Sequence, residues 1–218
     1  MPRDGSATRE RILATAMRLV IDNGFGATSV DAVIEGSGTS KGAFFHHFPS
    51  KRALAEALVE QYVASDLAML DAGLAAARGA STDPATRAVA FVAFFEDAAD
   101  EIMAGASGCL YTSVLAEMQL IEAGTSDPIA KAVRLWREGF AELLREALGE
   151  RDDVDVDALA DHVFVTFEGS FLLARTTGDP QHMRRQLAVL RRLVRALLDA
   201  PSDDTSGGRG RRPGSAEH

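Results

Sequence analysis

The chain has 218 residues, of which 46% are hydrophobic and 25% are charged, a composition typical of globular proteins and unlike that of disordered ones. A single cysteine, Cys109, excludes an intrachain disulfide and fits a reducing compartment. We find no apolar run of about 18 residues and no basic-then-apolar leader, which argues against a membrane span and a signal peptide. The sequence therefore predicts a soluble, cytoplasmic protein without a membrane partner.

The net charge of -9 is unevenly distributed along the chain. Residues 1–51 carry six basic and five acidic side chains, whereas the remainder carries 17 basic and 27 acidic ones. A nearly neutral segment attached to an acidic body is a weak form of the charge division expected of a nucleic-acid-binding head. An ordinary solvated acidic surface explains the same division, so both interpretations stay open.

The first 49 residues predict three short helices. Apolar residues recur at helical spacing over 6–23, and Gly24 follows where a helix C-cap favours positive φ. A hydroxyl followed by a carboxylate over 28–31 marks the start of a second helix, which the glycines of 36–38 end. The third helix lies within 39–49, and two short helices around a glycine-containing break form a helix-turn-helix pattern.

The rest of the chain predicts longer helices and no strand. Asp-Pro pairs at 83, 127 and 179 are start signals, with Asp as the N-cap and Pro as the first helical residue. The predicted helices cover about 50–78, 84–104, 109–122, 127–149, 156–177 and 180–199. The predicted fold is all-α with about nine helices: a helix-turn-helix domain over 7–66 (the motif itself at about 29–48), a larger helical domain over 67–200 that shares the helix from residue 50, and a disordered tail over 201–218.

The third helix combines small polar residues at its start with bulky ones after them, which suits a recognition helix entering the major groove. Hydroxyls and backbone N–H groups at the two helix starts suit phosphate contacts, although plain capping explains the hydroxyls equally well. Lys51 either contacts phosphate or is simply solvated. Of Phe44, Phe45 and Phe48, we expect at least two in the core. The candidate DNA contacts from this pattern are Thr28, Ser29, Thr39, Ser40, Lys41, Gly42 and Lys51.

Catalytic and metal sites are not indicated. The histidines show no metalloprotease spacing, Cys109 has no second thiol ligand, and adjacent His46 and His47 point in different directions on a helix. The sequence therefore predicts no enzyme, no cofactor and no metal.

The segment over 24–51 resembles the N-terminal domain of the TetR family of bacterial transcriptional regulators, and the resemblance extends over about 7–66. The matching residues are Gly24, Phe25, Thr28, Ser29, Val30, Ile34, Gly38, Ser40, Lys41, Gly42, Ala43, His46, His47, Phe48 and Lys51. The resemblance implies a DNA-binding head, a ligand-binding body and a homodimer on a palindromic operator that is released by a small molecule, and it adds Phe45, His46 and His47 to the candidate DNA contacts. One departure is Phe45, where the family often has Tyr, so a hydroxyl contact to phosphate is lost.

A second resemblance covers two stretches, Gly108-Cys109-Leu110 with Ala116-Glu117, and Glu168-Gly169 with Leu172-Leu173-Ala174-Arg175. Both stretches look like the C-terminal domain of a TetR subgroup that includes regulators of multidrug-efflux and flavonoid-responsive genes. The body also has the aromatic content for an apolar effector pocket, although ordinary core packing is the default for each residue. Cys109 is either a redox sensor or a small buried residue. The candidate effector contacts are Phe91, Phe95, Cys109, Tyr111, Met118, Trp136, Phe140, His162, Phe167 and Phe171.

The last two predicted helices suit a dimer interface, because two helices from each subunit make a four-helix bundle, as in the TetR family. A leucine-rich stripe on the last helix and small residues on the one before it are the candidate contacts. The alternative is that the stripe packs within its own subunit, while the basic opposite face is solvated or paired with the acidic body. The candidate interface residues are Gly169, Ser170, Ala174, Leu187, Leu190, Val194 and Leu197.

Two other classes of function remain open at this point. A helical small-molecule carrier or enzyme would keep the pocket without needing Lys41 or the two histidines. An architectural DNA-binding protein would keep the head but show neither a ligand response nor a sequence preference.

Overall fold

The structure is a computed structural model that describes residues 5–105, 108–117 and 124–201, and within these ranges it contains nine α-helices and no strand. The predicted all-α fold is confirmed. Parts of the helix predicted over 109–122 and nearly all of the tail predicted over 201–218 lie outside the described residues. The helices are α1 (Gly5–Asn23), α2 (Val30–Ser37), α3 (Lys41–His47), α4 (Lys51–Ala80), α5 (Pro84–Gly105), α6 (Leu110–Leu115), α7 (Ser126–Leu148), α8 (Val156–Thr177) and α9 (His182–Asp199).

The Asp-Pro signals are correct at one helix start and wrong in detail at two. Pro84 is the first residue of α5, and the Asp83 carboxylate accepts the backbone N–H of Thr86 at 2.8 Å. By contrast, α7 begins one residue before Asp127, and α9 begins two residues after Pro180. The Asp179 carboxylate accepts the amide of Gln181 at 3.0 Å, so this pair closes a turn ahead of the helix instead of capping it.

Helices α1, α2 and α3 pack around one small hydrophobic core. Phe44 is fully buried and Phe48 is 2% exposed, whereas Phe45 is 42% exposed, which confirms that at least two of the three rings belong to the core. The same core continues into α6 and the start of α7 through buried residues such as Leu110 and Ile129. The head is therefore packed directly against part of the body.

Helix α4 is 30 residues long and contributes side chains to two hydrophobic cores. Its first two turns contribute Leu54 and Leu58 to the head core, while Leu70 and Ala77 further along belong to a second core among α5, α7, α8 and α9. Helix α4 is therefore shared by the head and the body.

Helix α9 lies against α5 and α8. Arginines of its basic face pair with acidic residues of the body: Arg184 binds Asp100 at 2.9 Å and Arg191 binds Glu96 at 2.6 Å. The sequence left open whether this face is solvated or paired, and these two arginines are paired. Among the helices of the described residues, none is long and apolar enough to cross a membrane.

Candidate DNA interface and effector site

The turn between α2 and α3 is built on one glycine. Gly38 has φ 61°, a left-handed conformation that residues with a Cβ rarely adopt. Its N–H donates to the carbonyl of Glu35 at 3.1 Å, and the next amide, of Thr39, donates to Ile34 at 3.2 Å. This closure of the α2 C-terminus fixes the angle at which α3 leaves the turn.

Serine hydroxyls cap both helices of the pair. The Ser29 Oγ accepts the N–H of Ala32 and the Ser40 Oγ accepts that of Ala43, each at 3.1 Å. Capping uses a lone pair of each hydroxyl, while both serines stay exposed with an O–H free to donate. The two helix starts thus present hydroxyl donors and partial positive charge on the outer surface of the head, as an anion requires.

The outer face of α3 carries the candidate DNA contacts that remain accessible. Lys41, Gly42, Phe45 and His46 are exposed, and His47 is half-buried. The Phe45 ring packs edge-on against Phe44 at 5.3 Å between centroids, which limits its rotation without covering it. One short helix therefore carries a cation, a glycine whose backbone is accessible, an apolar ring and two imidazoles.

Two of the predicted phosphate contacts are corrected by the structure. Thr28 is 4% exposed, and its hydroxyl donates to the carbonyl of Gly24 at 2.8 Å, so it stabilises the α1–α2 loop. The Lys51 ammonium donates to the carbonyl of Phe25 at 2.7 Å and lies 4.4 Å from the centre of the Phe25 ring. Burial lowers the pKa of Lys51, as expected for an ammonium directed inward. Thr39 is half-buried, and its hydroxyl shares a hydrogen bond with Ser37 at 2.9 Å.

A half-buried carboxylate, Asp66, lies between α4, α6 and α7. The Asp66 Oδ2 atom accepts the Tyr111 hydroxyl at 2.8 Å and the Trp136 indole N–H at 3.0 Å. Burial raises the pKa of Asp66, and these two hydrogen bonds oppose the rise because they favour the ionised form. Asp66, Tyr111 and Trp136 come from α4, α6 and α7, so this group joins three helices.

A second carboxylate, Glu168 on α8, adjoins the first. The Cys109 thiol is hydrogen-bonded to Glu168, and the Tyr62 hydroxyl donates to the Cys109 sulfur at 3.6 Å. Burial raises the pKa of Glu168, and the charge of Asp66 adds to the rise. Burial and the Glu168 carboxylate raise the pKa of Cys109 to about 12, which keeps the thiol protonated. We call Tyr62, Asp66, Cys109, Tyr111, Trp136 and Glu168 the polar cluster.

The predicted effector contacts fall into several environments. Phe91 stacks on Phe140 at 4.9 Å between ring centres, and Phe95 contacts Trp136 at 5.1 Å and Phe167 at 5.6 Å. These rings fill the second core, so an effector reaches them only if they move. Phe171 is half-buried between the two cores, and Met118 lies outside the described residues. Only Cys109, Tyr111 and Trp136 of the predicted set belong to the polar cluster.

The side chain of His162 is exposed on α8. The buried positions of that helix are Ala160, Val163, Ser170 and Ala174, and residue 162 lies roughly a third of a turn away from them. The contact between His162 and an effector stays a prediction that its exposed position does not favour.

The predicted dimer contacts on α9 are also corrected. Leu187 and Val194 are fully buried and Leu190 is 3% exposed within the single chain, where they pack in the core shared with α5, and Leu197 is half-buried. On α8, Ser170 and Ala174 are buried as well. The third small residue predicted for the interface, Gly169, is half-buried. The stripe of Leu187, Leu190 and Val194 therefore packs within its own subunit, against the second core. The exposed apolar residues of α8 and α9 are Val165, Leu172, Leu173, Val189 and Leu193.

Sequence reasoning missed Tyr62, Asp66 and Glu168. Tyr62 and Asp66 stand four residues apart on α4, so they share one face with the apolar Leu70, and a carboxylate on such a face signals a buried polar group. Their partners are 45 and more residues away in the chain, a distance that no local pattern covers.

A groove of about 660 Å³ opens beside this region, between α4 and α7. It is lined by Val63, Leu67, Ala132, Lys131 and Arg134 among others. Val63 and Leu67 stand on either side of Asp66 in the α4 sequence, so the groove approaches the helix turn that carries the buried carboxylate.

Two family models match the chain. Residues 12–58 match the model described as bacterial regulatory proteins, tetR family, and residues 84–190 match the tetracyclin repressor-like C-terminal domain. The first model covers the three-helix head, and the second covers most of the body.

Among similar proteins, the transcriptional regulator AcuR of Cereibacter sphaeroides is 27% identical over 187 residues, which is 82% of each chain. The transcriptional repressor NemR of Escherichia coli is 27% identical over 143 residues, covering 65% of this chain and 67% of NemR. A crystal structure of a regulatory protein TetR from Rhodobacter sphaeroides superposes with a TM-score of 0.67 at 25% identity, covering 84% of this chain and 96% of that one. These three similar proteins are thus described as regulatory proteins, two of them regulators of transcription.

Proposed function

Since this chain belongs to the TetR family and is a DNA-binding transcriptional regulator, we propose that it is a repressor that binds a palindromic operator as a homodimer and leaves it when a small molecule binds the body. The observation that carries the proposal is the outer face of α3, where Lys41, Gly42, Phe45 and His46 are exposed on a helix held rigidly by Gly38.

In the proposed complex, α3 enters the major groove. Lys41 donates to a base edge or a phosphate, and Gly42 lets the backbone approach closely. Ser29 and Ser40 bind phosphates with their hydroxyls and neighbouring amides, and His46 and His47 extend the contact along α3. Phe45 has no hydroxyl, so it makes an apolar contact with a sugar or a thymine methyl group.

The dimer we propose forms through the exposed apolar residues of α8 and α9. Leu172 is 67% exposed, Leu193 and Val165 are each 59% exposed, and monomers rarely leave such a continuous apolar stripe in water. Two copies of this surface form a four-helix bundle, in which the two heads stand about 34 Å apart, one turn of DNA. We retain residues 7–66 as the DNA-binding domain and 67–200 as the effector and dimerisation domain.

For the effector, we propose a small aromatic molecule that inserts beside the polar cluster and hydrogen-bonds to it. Support comes from two half-buried carboxylates, Asp66 and Glu168, whose pKa values burial raises and which adjoin the same cysteine and tyrosines. The aromatic surround of Tyr62, Tyr111 and Trp136 supplies apolar contact area. Membership of the multidrug- and flavonoid-responsive subgroup is part of this proposal and rests on the resemblance of the two stretches that begin at Gly108 and at Glu168.

The test is selection of bound sequences from a random double-stranded DNA library at near-physiological salt. The wild-type protein should enrich a palindrome, and the Lys41→Ala/His46→Ala variant should not. A matched control is Lys131→Ala/His162→Ala, which removes an exposed lysine and an exposed histidine from the body and should enrich the same palindrome. If the wild-type protein, folded and dimeric, enriches nothing, the regulator proposal is wrong and a small-molecule carrier becomes the better interpretation.

A further inference from the structure

The loop between α1 and α2, residues 24–29, is held by side chains that come from distant parts of the chain. The Glu117 carboxylate, just after α6, accepts the backbone N–H of Gly26 at 2.9 Å. From the last turn of α8, the Arg175 guanidinium donates to the carbonyl of Asp22 at 2.7 Å and to that of Ile21 at 3.4 Å. These bonds join residues 91 and more positions apart.

Each contact satisfies a backbone group that the loop itself leaves open. The last carbonyls of a helix lack intrahelical partners and carry partial negative charge, so a guanidinium at the end of α1 is doubly favourable. Helix α1 has no basic residue in its own last turn, and Arg175 supplies the positive charge from the body. At the other end of the loop, the Gly26 amide receives a carboxylate acceptor, which makes a charge-assisted hydrogen bond.

The absence of a side chain at Gly26 lets the Glu117 carboxylate come close to its backbone. A Cβ atom built on Gly26 would lie 2.9 Å from the Glu117 Oε1 atom, closer than real side chains approach. Any side chain at position 26 therefore displaces the carboxylate. The Lys51 ammonium, bonded to the carbonyls of Phe25 and Gly26, also attracts Glu117, so the loop lies among three charged groups.

The two residues from the body stand on the elements that carry the polar cluster. Tyr111 and Glu117 are six residues apart, at the two ends of the α6 segment. Glu168 and Arg175 are seven residues apart on α8, which is two helical turns and therefore the same face. A rigid shift of either element at the cluster is thus delivered to the end of α1.

We propose that Glu117 and Arg175 are positioning residues for DNA binding, which fix the tilt of the head by holding the α1–α2 loop to α6 and α8. They do not touch DNA. The idea that the shift begins at the polar cluster rests on the proposed effector site. The claim that these two residues hold the head does not.

The test uses Arg175→Met, Glu117→Ala and Gly26→Ala in the full-length protein. Two DNA duplexes are compared: the selected palindrome, and the same palindrome with two base pairs inserted at its centre, which moves the half-sites apart by about 7 Å. A single half-site duplex reports on the head alone. Controls are Arg145→Met and Glu142→Ala, which break exposed ion pairs on the body with Asp157 and Arg78.

If Glu117 and Arg175 position the head, the variants should give one specific pattern of results. In each of the three variants, the preference for the correct spacing should fall about tenfold, the worth of a charge-assisted hydrogen bond, while half-site affinity stays unchanged. Amide hydrogen exchange of residues 24–28 should become at least about tenfold faster, with α2 and α3 as protected as before. The two controls should match the wild-type protein in every measurement.

Two patterns overturn the inference. If the preference for the correct spacing and the amide exchange of residues 24–28 are both unchanged, the contacts of Glu117 and Arg175 do not fix the α1–α2 loop. If half-site and full-site affinities fall together and α2 and α3 exchange faster, the residues merely stabilise the head. Should the wild-type protein select no palindrome, the proposed function fails, and the exchange measurement alone decides: faster exchange confined to residues 24–28 supports the holding of the loop, and unchanged exchange contradicts it.

Discussion

Replacing one leucine on the exposed face of α8 and one on the buried face of α9 distinguishes the two possible dimer surfaces. Leu172 is 67% exposed in the single chain, whereas Leu187 is fully buried against α5. We expect Leu172→Ala to weaken the dimer and leave the protomer stable. We expect Leu187→Ala to destabilise the protomer and leave the dimerisation constant of the folded protein unchanged.

The magnitudes follow from the exposed fractions. Full burial of a leucine side chain contributes about 1.5–3 kcal/mol, so a leucine that is two-thirds exposed before association gains about 1–2 kcal/mol in the interface. A two-fold interface contains each residue twice. The loss is therefore about 2–4 kcal/mol per dimer, which raises its dissociation constant about 30- to 700-fold. For Leu187→Ala, a cavity in a packed core lowers the free energy of unfolding by about 2–5 kcal/mol.

Sedimentation equilibrium over a range of protein concentrations gives the dimer dissociation constant, and urea unfolding gives the stability. Leu193→Ala on α9 is a second exposed-face variant and should behave like Leu172→Ala, because its side chain is 59% exposed. A dimer that is weakened by Leu187→Ala and unaffected by both exposed-face variants would refute the assignment of the interface.

Three further outcomes are expected. Because burial raises the pKa of Asp66, its contribution to stability is fully present below the unfolded-state pKa and is lost as the pH rises through the folded-state pKa. The unfolding free energy of wild-type protein relative to Asp66→Asn should therefore increase as the pH falls from neutral towards the ordinary pKa of an aspartate, and a constant difference in urea unfolding would contradict this. Phe44→Ala should lower the free energy of unfolding by about 3–5 kcal/mol, whereas Phe45→Ala should change it by less than about 1 kcal/mol and weaken operator binding instead; equal stability losses would argue against the two environments. Cys109, buried and with its pKa raised to about 12, should react with a thiol reagent at pH 7.5 only after unfolding in urea, and rapid labelling of the native protein would favour a redox role.

Local chemistry in the sequence was enough to predict the head. Serines at 29, 40 and 50 accept an amide three residues on, and Gly38 takes the left-handed conformation, so the boundaries of α2 and α3 depend on residues within a few positions. The buried Phe44 and Phe48 follow from helical spacing in the same short segment. Where the interactions that set a helix boundary lie within a few residues of it, the pattern of residue types is enough to predict that boundary.

The body could be predicted only as a set of helices. Helices α8 and α9 have apolar residues on two faces, and spacing cannot say which face meets α5 and which meets another subunit. Leu187 and Leu193 look alike in the sequence and differ entirely in exposure. The Asp66 group was missed for a related reason: its donors, Tyr111 and Trp136, are 45 and 70 residues away and become neighbours only through the packing of three helices.

Sequence-specific recognition by α3 is the central claim, and its most direct test is a specificity ratio. The affinity of the wild-type protein for the selected palindrome is divided by that for a shuffled duplex of equal length, at one near-physiological salt concentration. We predict a ratio of about 10³ or more that falls towards one in Lys41→Ala/His46→Ala, because base contacts supply the difference and phosphate contacts do not. A wild-type ratio near one, from a protein that is folded and dimeric, would contradict the account.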